Sequence, residues 1–269
     1  MRGKTDINIQ HPEVWELLVS IDDRQVDYVL FTPTVKGSLQ VGTVTLADAS
    51  LSSLEDAIYD TPELLGEYKR ARVVVHSRHF VLLPADVDDD DCVMLVRHAF
   101  PTDDGDAAVC PVPGSDVKIA YMAPRGLLAF LGRTFNYPVM CHHLAPLCQY
   151  CQGQTHEQSA ARMLVHLGGD AMDVAIYRDD ALLCANTYPY TNAQDAAYFA
   201  LGAWRAHSLD QLSDPMLLAG DGALQAAVAP VLRDYVKHVM PAVYPAAAMQ
   251  LGRNAMRAPL ELVLLALCE

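Results

Sequence analysis

The sequence predicts an α/β protein with two lobes of the same architecture, each a mixed central sheet flanked by helices. Three observations lead to this prediction. Each half of the chain opens with three strand-like runs and then a helical run, although no repeat survives at the level of single residues. The glycine pair at residues 168–169 forms a turn between two such runs. With 269 residues, 52% of them hydrophobic, the chain can bury a core in each lobe.

The first half opens with a predicted meander of three strands. Apolar or alternating runs bounded by polar turns have the strand pattern at residues 16–21, 26–32 and 38–46. Residues 22–25, Asp-Asp-Arg-Gln, form the first polar turn. A helix is predicted to start at Ser52, because Glu55 three residues later completes a capping box. A second helix start is predicted at Thr61-Pro62-Glu63, because proline fits the first helical position.

The middle of the chain alternates between short strands and helices. Residues 72–75 and 79–83 are predicted to form a β pair, and the acidic run 86–91 is predicted to lead into a helix at 93–98. After a predicted loop at residues 101–114, the elements are a strand at 117–122, a helix from Pro124, a strand at 139–142 and a short helix carrying Cys148 and Cys151.

The second half repeats the order of the first. Its predicted elements are strands at residues 162–167, 171–177 and 181–187, a helix at about 192–209 and a strand at 216–219. The turn Gly220-Asp221-Gly222 then leads into a helix whose apolar face extends to Val239, and Pro230 should kink or split that helix. Residues 152–155 break the apolar pattern between the halves. We therefore expect an N-terminal lobe at residues 1–155 and a C-terminal lobe at 156–269.

The composition excludes several classes of function. A net charge of −14 repels phosphate backbones, so we expect no nucleic-acid partner. No apolar run reaches the roughly 20 residues that a membrane-spanning helix needs, and the polar start of the chain lacks the apolar core of a signal peptide. Seven cysteines without a disulfide-like framework fit a reducing compartment. These features predict a cytoplasmic protein that does not contact a membrane.

One nine-residue run carries a specific resemblance. Residues 166–174 read His-Leu-Gly-Gly-Asp-Ala-Met-Asp-Val. They resemble the second phosphate motif of the actin-like ATPases, which often reads Asp-Leu-Gly-Gly-Gly-Thr-Thr-Asp-Val, and they match it at both glycines, at Asp173 and at the valine after it. Residues 217–222 resemble the adenosine-side strand and glycine turn of the same superfamily. The resemblance implies a duplicated ribonuclease-H-like fold with the nucleotide site in the cleft between the lobes.

The same resemblance implies which residues would bind a nucleotide. They are Asp22, Gly168, Gly169, Asp170, Asp173, Gly220 and Gly222. Asp22 enters because Ile21-Asp22 resembles the start of the first phosphate motif. Each assignment has a plain structural alternative: the first glycine pair is an ordinary β-turn, the second a strand-to-helix turn, and Asp22 a turn residue.

Several weaker segments share a second resemblance. They are residues 80–84, 182–198, 217–235 and the final pair Cys268-Glu269. On these segments the chain resembles an uncharacterised bacterial family, domain of unknown function 3822, assigned to the same superfamily. That family implies a fold but no established activity.

The nucleotide site departs from the superfamily pattern at three places. Arg24 stands where a glycine is usual, so its side chain fills space meant for a β-phosphate. His166 replaces an aspartate and lacks the hard oxygen that magnesium prefers, and Ala171-Met172 remove two hydroxyls. We therefore expect a degenerate site in a scaffold that binds an unidentified protein partner, with no catalytic residue and no bound cofactor or metal.

A different class of function stays open from the sequence. Asp22, Asp170 and Asp173 supply carboxylates that suit hydrated magnesium. The alternative is thus an ATP-binding protein or a slow magnesium-dependent ATPase that uses ATP and magnesium as its cofactors.

Two other clusters raise the question of a metal. The first consists of Cys141, His142, His143, Cys148, Cys151 and His156, whose short spacings suit zinc, although no second CxxC pair exists. Buried thiols and histidines are its alternative interpretation. The second is the acidic run at residues 86–91, which lacks the glycine and final glutamate of a calcium loop and is expected to be a solvated helix start.

Overall fold

The computed structural model describes residues 9, 11–154 and 161–267. Its strands are β1 (Glu16–Ile21), β2 (Gln25–Phe31), β3 (Gln40–Thr45), β4 (Arg70–Val75), β5 (Phe80–Pro84), β6 (Asp106–Pro111), β7 (Val117–Ala123), β8 (Val139–His142), β9 (Ala161–Leu167), β10 (Ala171–Arg178), β11 (Ala181–Pro189), β12 (Pro215–Gly220) and β13 (His238–Pro241). Its α-helices are α1 (Leu51–Tyr59), α2 (Asp89–Ala99), α3 (Leu127–Thr134), α4 (Leu144–Gly153), α5 (Ala193–Ala206), α6 (Gly222–Arg233), α7 (Ala248–Leu251) and α8 (Leu260–Leu267).

Two five-stranded sheets of the same topology form the framework. The first has the order β3-β2-β1-β4-β8 and the second β11-β10-β9-β12-β13. In each sheet the three strands of a meander pair antiparallel, the fourth strand pairs in parallel with the first strand of the meander, and the fifth pairs in parallel with the fourth. The predicted duplicated ribonuclease-H-like fold, with two lobes built on mixed sheets, is confirmed. The last two strands need crossover connections, which α1, α5 and α6 help to supply.

A third, smaller sheet is inserted into the first lobe between β4 and α3. Its strand order is β5-β7-β6, and α2 covers one face, where Cys92 and Val96 pack against Ala120 and Met122. The predicted pairing of residues 72–75 with 79–83 is wrong, because β4 lies in the first sheet whereas β5 pairs with β7. The loop predicted at residues 101–114 is also wrong in part, since it contains β6.

Two helices lie between the two large sheets. Helix α4 follows the last strand of the first sheet but packs against β10 of the second, and the C-terminal helix α8 packs against β1 of the first. In α8, Leu262 and Val263 share a core with Leu18 and Val29. The lobe boundaries at residues 1–155 and 156–269 stay a proposal. Because α8 packs on the first sheet, part of the second segment completes the core of the first lobe.

Three helix boundaries differ from the predicted ones. The Ser50 side chain accepts from the Ser53 amide, so α1 begins at Leu51, one residue before the predicted start at Ser52. The helix predicted at Thr61 is only a 3-10 turn, Pro62–Leu64. The helix predicted to reach Val239 ends at Arg233, and Val239 pairs with β12 as part of β13 instead. None of the helices in the described ranges has both the length and the apolar character needed to cross a membrane.

Candidate functional site

The turns of the two lobes converge on one cleft. The β1–β2 turn and the β9–β10 turn face each other there, and the ends of β4 and β12 contribute to its walls. The cleft has a volume of about 1040 Å³. It is lined by all but one of the predicted nucleotide-site residues: Asp22, Gly168, Gly169, Asp170, Asp173 and Gly220. Gly222 begins α6 and does not line the cleft.

The first turn is closed by its own aspartate. Asp22 Oδ1 accepts from the backbone amides of Arg24 and Gln25, both at 2.7 Å. This contact is the arrangement by which aspartate stabilises a tight turn, and it orients Arg24 toward the opposite lobe. The two amides that end on Asp22 are thereby satisfied within the turn.

An ion-pair clamp joins the two turns across the cleft mouth. Asp170 Oδ2 lies 3.0 Å from Arg24 Nη2 and 2.7 Å from Arg78 Nη2. Both arginines come from the first lobe and the aspartate from the second. Burial alone would raise the pKa of Asp170, but Arg78 and Arg24 outweigh burial and lower that pKa. We call these three side chains the arginine clamp.

Close approach explains the glycines of the second lobe. A Cβ on Gly169 would lie 3.2 Å from Arg24 Nη1, so a side chain there would press on the arginine clamp. Gly220 has a φ of +88°, and its Cβ would lie 2.2 Å from the Leu167 carbonyl oxygen. After it, the Asp221 side chain caps α6 by accepting from the amides of Ala223 and Leu224. That cap satisfies two free amides that would otherwise attract an anion.

The floor of the cleft is a buried network of histidines and carboxylates, which we call the histidine network. It consists of Ser20, His76, His143, His166, Asp173, Thr187 and Glu261. Asp173 is its centre in the second lobe. Its Oδ1 accepts from His143 at 2.9 Å and from Thr187 at 2.7 Å, and its Oδ2 lies 3.3 Å from His166 Nδ1.

Glu261 is the centre of the same network in the first lobe. Ser20 donates to Glu261 Oε1 at 3.2 Å and lies 3.0 Å from His76 Nε2, which is therefore placed to donate to the serine oxygen. His166 Nε2 lies 3.9 Å from Glu261 Oε2 and carries the network across the lobe interface. His76 also stacks on His143 with ring centroids 4.5 Å apart. Polar contacts thus tie β1, β9, β10 and α8 together, along with the residues that directly follow β4 and β8.

The carboxylates of this network are held in their charged form. Burial acts to raise the pKa of Asp173, but His143 and His166 outweigh it and hold that pKa well below the usual range. Burial also acts to raise the pKa of Glu261, but His76 and His166 outweigh it and lower that pKa to about 2.

The histidines divide into two groups. Burial acts to lower the pKa of His76 and His166, yet the neighbouring carboxylates outweigh it and raise both values. For His143, burial dominates and lowers the pKa despite Asp173. Burial and the neighbouring His143 ring lower the pKa of His142 well below its usual value, and His142 Nε2 contacts the Ser77 carbonyl oxygen. The network therefore combines ion pairs with neutral imidazoles.

The residues of the cysteine and histidine cluster, for which zinc was an open question, make separate contacts. His142 and His143 make the contacts given above, and the Cys151 thiol donates to the Ala175 carbonyl oxygen. Burial raises the pKa of Cys148 well above its usual value, so this thiol stays protonated. His156 lies outside the described residues. Within those residues no group of three histidine, cysteine or acidic side chains has a metal-binding arrangement.

Sequence reasoning missed several members of the network. His76 and Glu261 were not candidates, and His143 was one only for zinc. A signal for Glu261 does exist, because it is the one charged residue in the apolar run Leu260–Leu267. A charge placed in such a run calls for a buried partner.

Asp170→Asn should loosen the two turns without unfolding the protein. Both ion pairs of the arginine clamp are about half exposed and contribute up to about 1 kcal/mol each, so we expect a loss of stability below about 2 kcal/mol. Hydrogen exchange at residues 22–25 and 168–171 should nevertheless speed up, because the substitution removes the charge that holds the turns together. Mass spectrometry of exchange tests this, with Asp180→Asn in the β10–β11 turn as control. Unchanged exchange in Asp170→Asn would contradict the clamp.

Comparison with known proteins identifies relatives. The family model described as protein of unknown function (DUF3822) matches residues 4–239. The structure of a protein with actin-like ATPase fold and unknown function from Bacteroides thetaiotaomicron superposes with a TM-score of 0.78, at 17% identity, over 96% of this chain and 97% of that one. The PilM–PilN type IV pilus biogenesis complex gives a TM-score of 0.58 at 13% identity, over 96% and 100%. No curated protein matches significantly in sequence. These likenesses establish the fold.

Proposed function

Because the chain belongs to the DUF3822 family, whose description gives it no function, we propose that it is an actin-like protein with a degenerate nucleotide site that acts by binding a protein partner. One observation carries this proposal. The carboxylate of Asp170 lies between Arg24 and Arg78 at the turns where a nucleotide phosphate would need cations and free amides.

The arginine clamp works against a polyphosphate in two ways. A phosphate would have to displace Asp170 from both guanidinium groups and would then face its negative charge. Exposed pairs contribute up to about 1 kcal/mol each, so breaking both weakens binding by up to about thirtyfold. The Asp221 side chain also occupies the first amides of α6. The site is thus poor in free donors.

The residues do not fit magnesium either. Asp173 already accepts from His143 and Thr187 and pairs with His166. Asp22 closes its own turn, and Asp170 belongs to the arginine clamp. Hydrated magnesium needs carboxylate oxygens that remain free to accept from its water ligands. The three aspartates of the alternative ATPase hypothesis each have protein partners instead.

Two further observations support a role in binding a protein partner. Among proteins of similar fold, PilM forms a complex with PilN, and this likeness supports a scaffold that holds another protein. Cys92, Cys110, Cys148, Cys151 and Cys184 are free thiols, which supports a cytoplasmic location.

Thermal unfolding in the presence of magnesium and ATP tests the proposal. A nucleotide site with a dissociation constant of about 50 µM would add about 2.7 kcal/mol at about 5 mM ATP, roughly a hundredfold excess. That would raise the melting temperature by more than about 5 °C. We expect no rise. A rise that Gly168→Val abolishes would show that the second turn binds nucleotide and would overturn the proposal.

A further inference from the structure

Strand β3 is an edge of the first sheet with unpaired backbone groups. It pairs with β2 on one side, and within the described residues no strand pairs with it on the other. The amide of Leu46 donates to the Arg24 carbonyl oxygen. In an antiparallel pair every second residue directs its backbone groups toward the partner strand, so the residues between these direct theirs away from β2. It follows that Val41, Thr43 and Thr45 direct their backbone N–H and C=O groups outward.

Just before the strand, Leu39 donates to the Leu251 carbonyl oxygen, and residues 253–257 contact β3, so part of the edge is covered. In its own sequence, however, the strand lacks the features that usually prevent strand addition. The sequence of β3 is Gln-Val-Gly-Thr-Val-Thr, with no proline, lysine or other charged residue. Natural edge strands are commonly protected by such residues. β-Branched side chains occupy four of its six positions, and they favour extended backbone. The strand is therefore ready to pair with another extended segment.

A groove runs between this edge and helix α1. It has a volume of about 1610 Å³. Trp15, Tyr28 and Ala57 provide apolar surface in it. Its acidic lining residues are Asp48, Asp56, Asp60 and Glu63. The one basic residue that lines it in the described ranges is Arg257.

We infer that this groove binds an extended segment of a partner protein, with apolar residues and lysine or arginine at every second position, as an added strand on β3. The inference rests on the proposed function, because it specifies where and how the partner binds. The strand edge supplies hydrogen bonds, and the period of two in a strand directs every second side chain toward α1, where both the apolar surface and the acids lie. A second copy of this chain is a poorer occupant, because pairing two β3 edges brings the two acidic walls together.

Selection of random twelve-residue peptides displayed on phage, against the intact chain, tests the inference. The selected peptides should be enriched in lysine and arginine at alternate positions. A synthetic copy of the strongest binder should bind Thr43→Pro about tenfold or more weakly, because proline removes an outward N–H of β3. Thr43→Val is the matched control, since it loses the same hydroxyl contact with Asp27 but keeps the backbone donor. It should bind as the wild type does.

A charge reversal tests the acidic wall without altering the strand. Asp60 is the C-cap of α1, and Asp234 is the C-cap of α6 in the other lobe. Asp56→Lys/Asp60→Lys should weaken the same peptide about tenfold at low salt, whereas Asp234→Lys should leave binding within about twofold. Fluorescence anisotropy measures both.

The outcomes separate this inference from the proposal on which it rests. Selection without basic enrichment, equal binding to Thr43→Pro and Thr43→Val, or self-association through β3 would overturn the inference. Stabilisation by ATP would overturn the degenerate-site proposal but would leave a measured peptide affinity for the β3 groove unchanged. Peptide binding that is sensitive to Thr43→Pro and to the double reversal supports the inference.

Discussion

Asp173→Ala should lower the free energy of unfolding by about 3–5 kcal/mol. The substitution removes the acceptor of His143 and Thr187 and the partner of His166, and it leaves buried polar groups without compensation. Urea unfolding followed by circular dichroism measures the change. Asp180→Ala, in the exposed turn after β10, should change stability by less than about 0.5 kcal/mol. Equal effects of the two substitutions would show that the histidine network does not stabilise the lobe interface.

The pH dependence of the wild type follows from the same network. The pKa values of Asp173 and Glu261 are lowered in the folded state, so their contribution is present above about pH 4 and is lost as the pH falls through the folded values. The pKa values of His76 and His166 are raised in the folded state, so their contribution to stability is present below about pH 6.5 and is lost as the pH rises through the folded pKa values. Asp173→Ala should flatten the acidic arm of the stability profile.

Gly220→Ala should destabilise the second lobe by about 3 kcal/mol or more. Its φ of +88° is unfavourable for alanine, and the new Cβ would lie 2.2 Å from the Leu167 carbonyl oxygen of β9. Because that contact is with backbone in a central strand, no side-chain rotation relieves it. Thermal or urea unfolding provides the measurement.

Gly222→Ala is the matched control for this substitution. Gly222 is two residues away and begins α6, and a methyl group added to it would have no neighbouring atom within 4 Å. Alanine there should be neutral or stabilising by up to about 1 kcal/mol, because it favours helix. Similar stabilities for Gly220→Ala and Gly222→Ala would mean that the turn after β12 is not held in its left-handed conformation.

Local sequence patterns predicted the framework of both lobes. Strand runs and turn residues led to both meanders because side-chain alternation and turn chemistry act over a few residues. Patterns failed where partners are distant in the chain. Strand β6 follows a run rich in glycine and aspartate, and it is a strand because β7 pairs with it. Val239 fits the apolar face of a helix, but it is held in β13 by β12.

The candidate site was predictable only in part for the same reason. Residue types identified the two turns, and they showed that Arg24 and His166 depart from the residues usual in actin-like ATPases. The contact of Arg24 with Asp170 joins residues that are distant in the chain, and it depends on how the lobes close. The role of Glu261 depends on a helix that crosses from the second part of the chain to the first sheet. Neither relation has a local pattern that would reveal it.

Direct titration of ATP with magnesium into the wild-type chain, followed by calorimetry, tests the central claim most directly. The arginine clamp predicts no saturable heat of binding up to millimolar nucleotide, since Asp170 holds both guanidinium groups at the cleft mouth. A saturable isotherm with a dissociation constant below about 100 µM, lost in Gly168→Val, would show that the cleft is a working nucleotide site. That result would contradict the account.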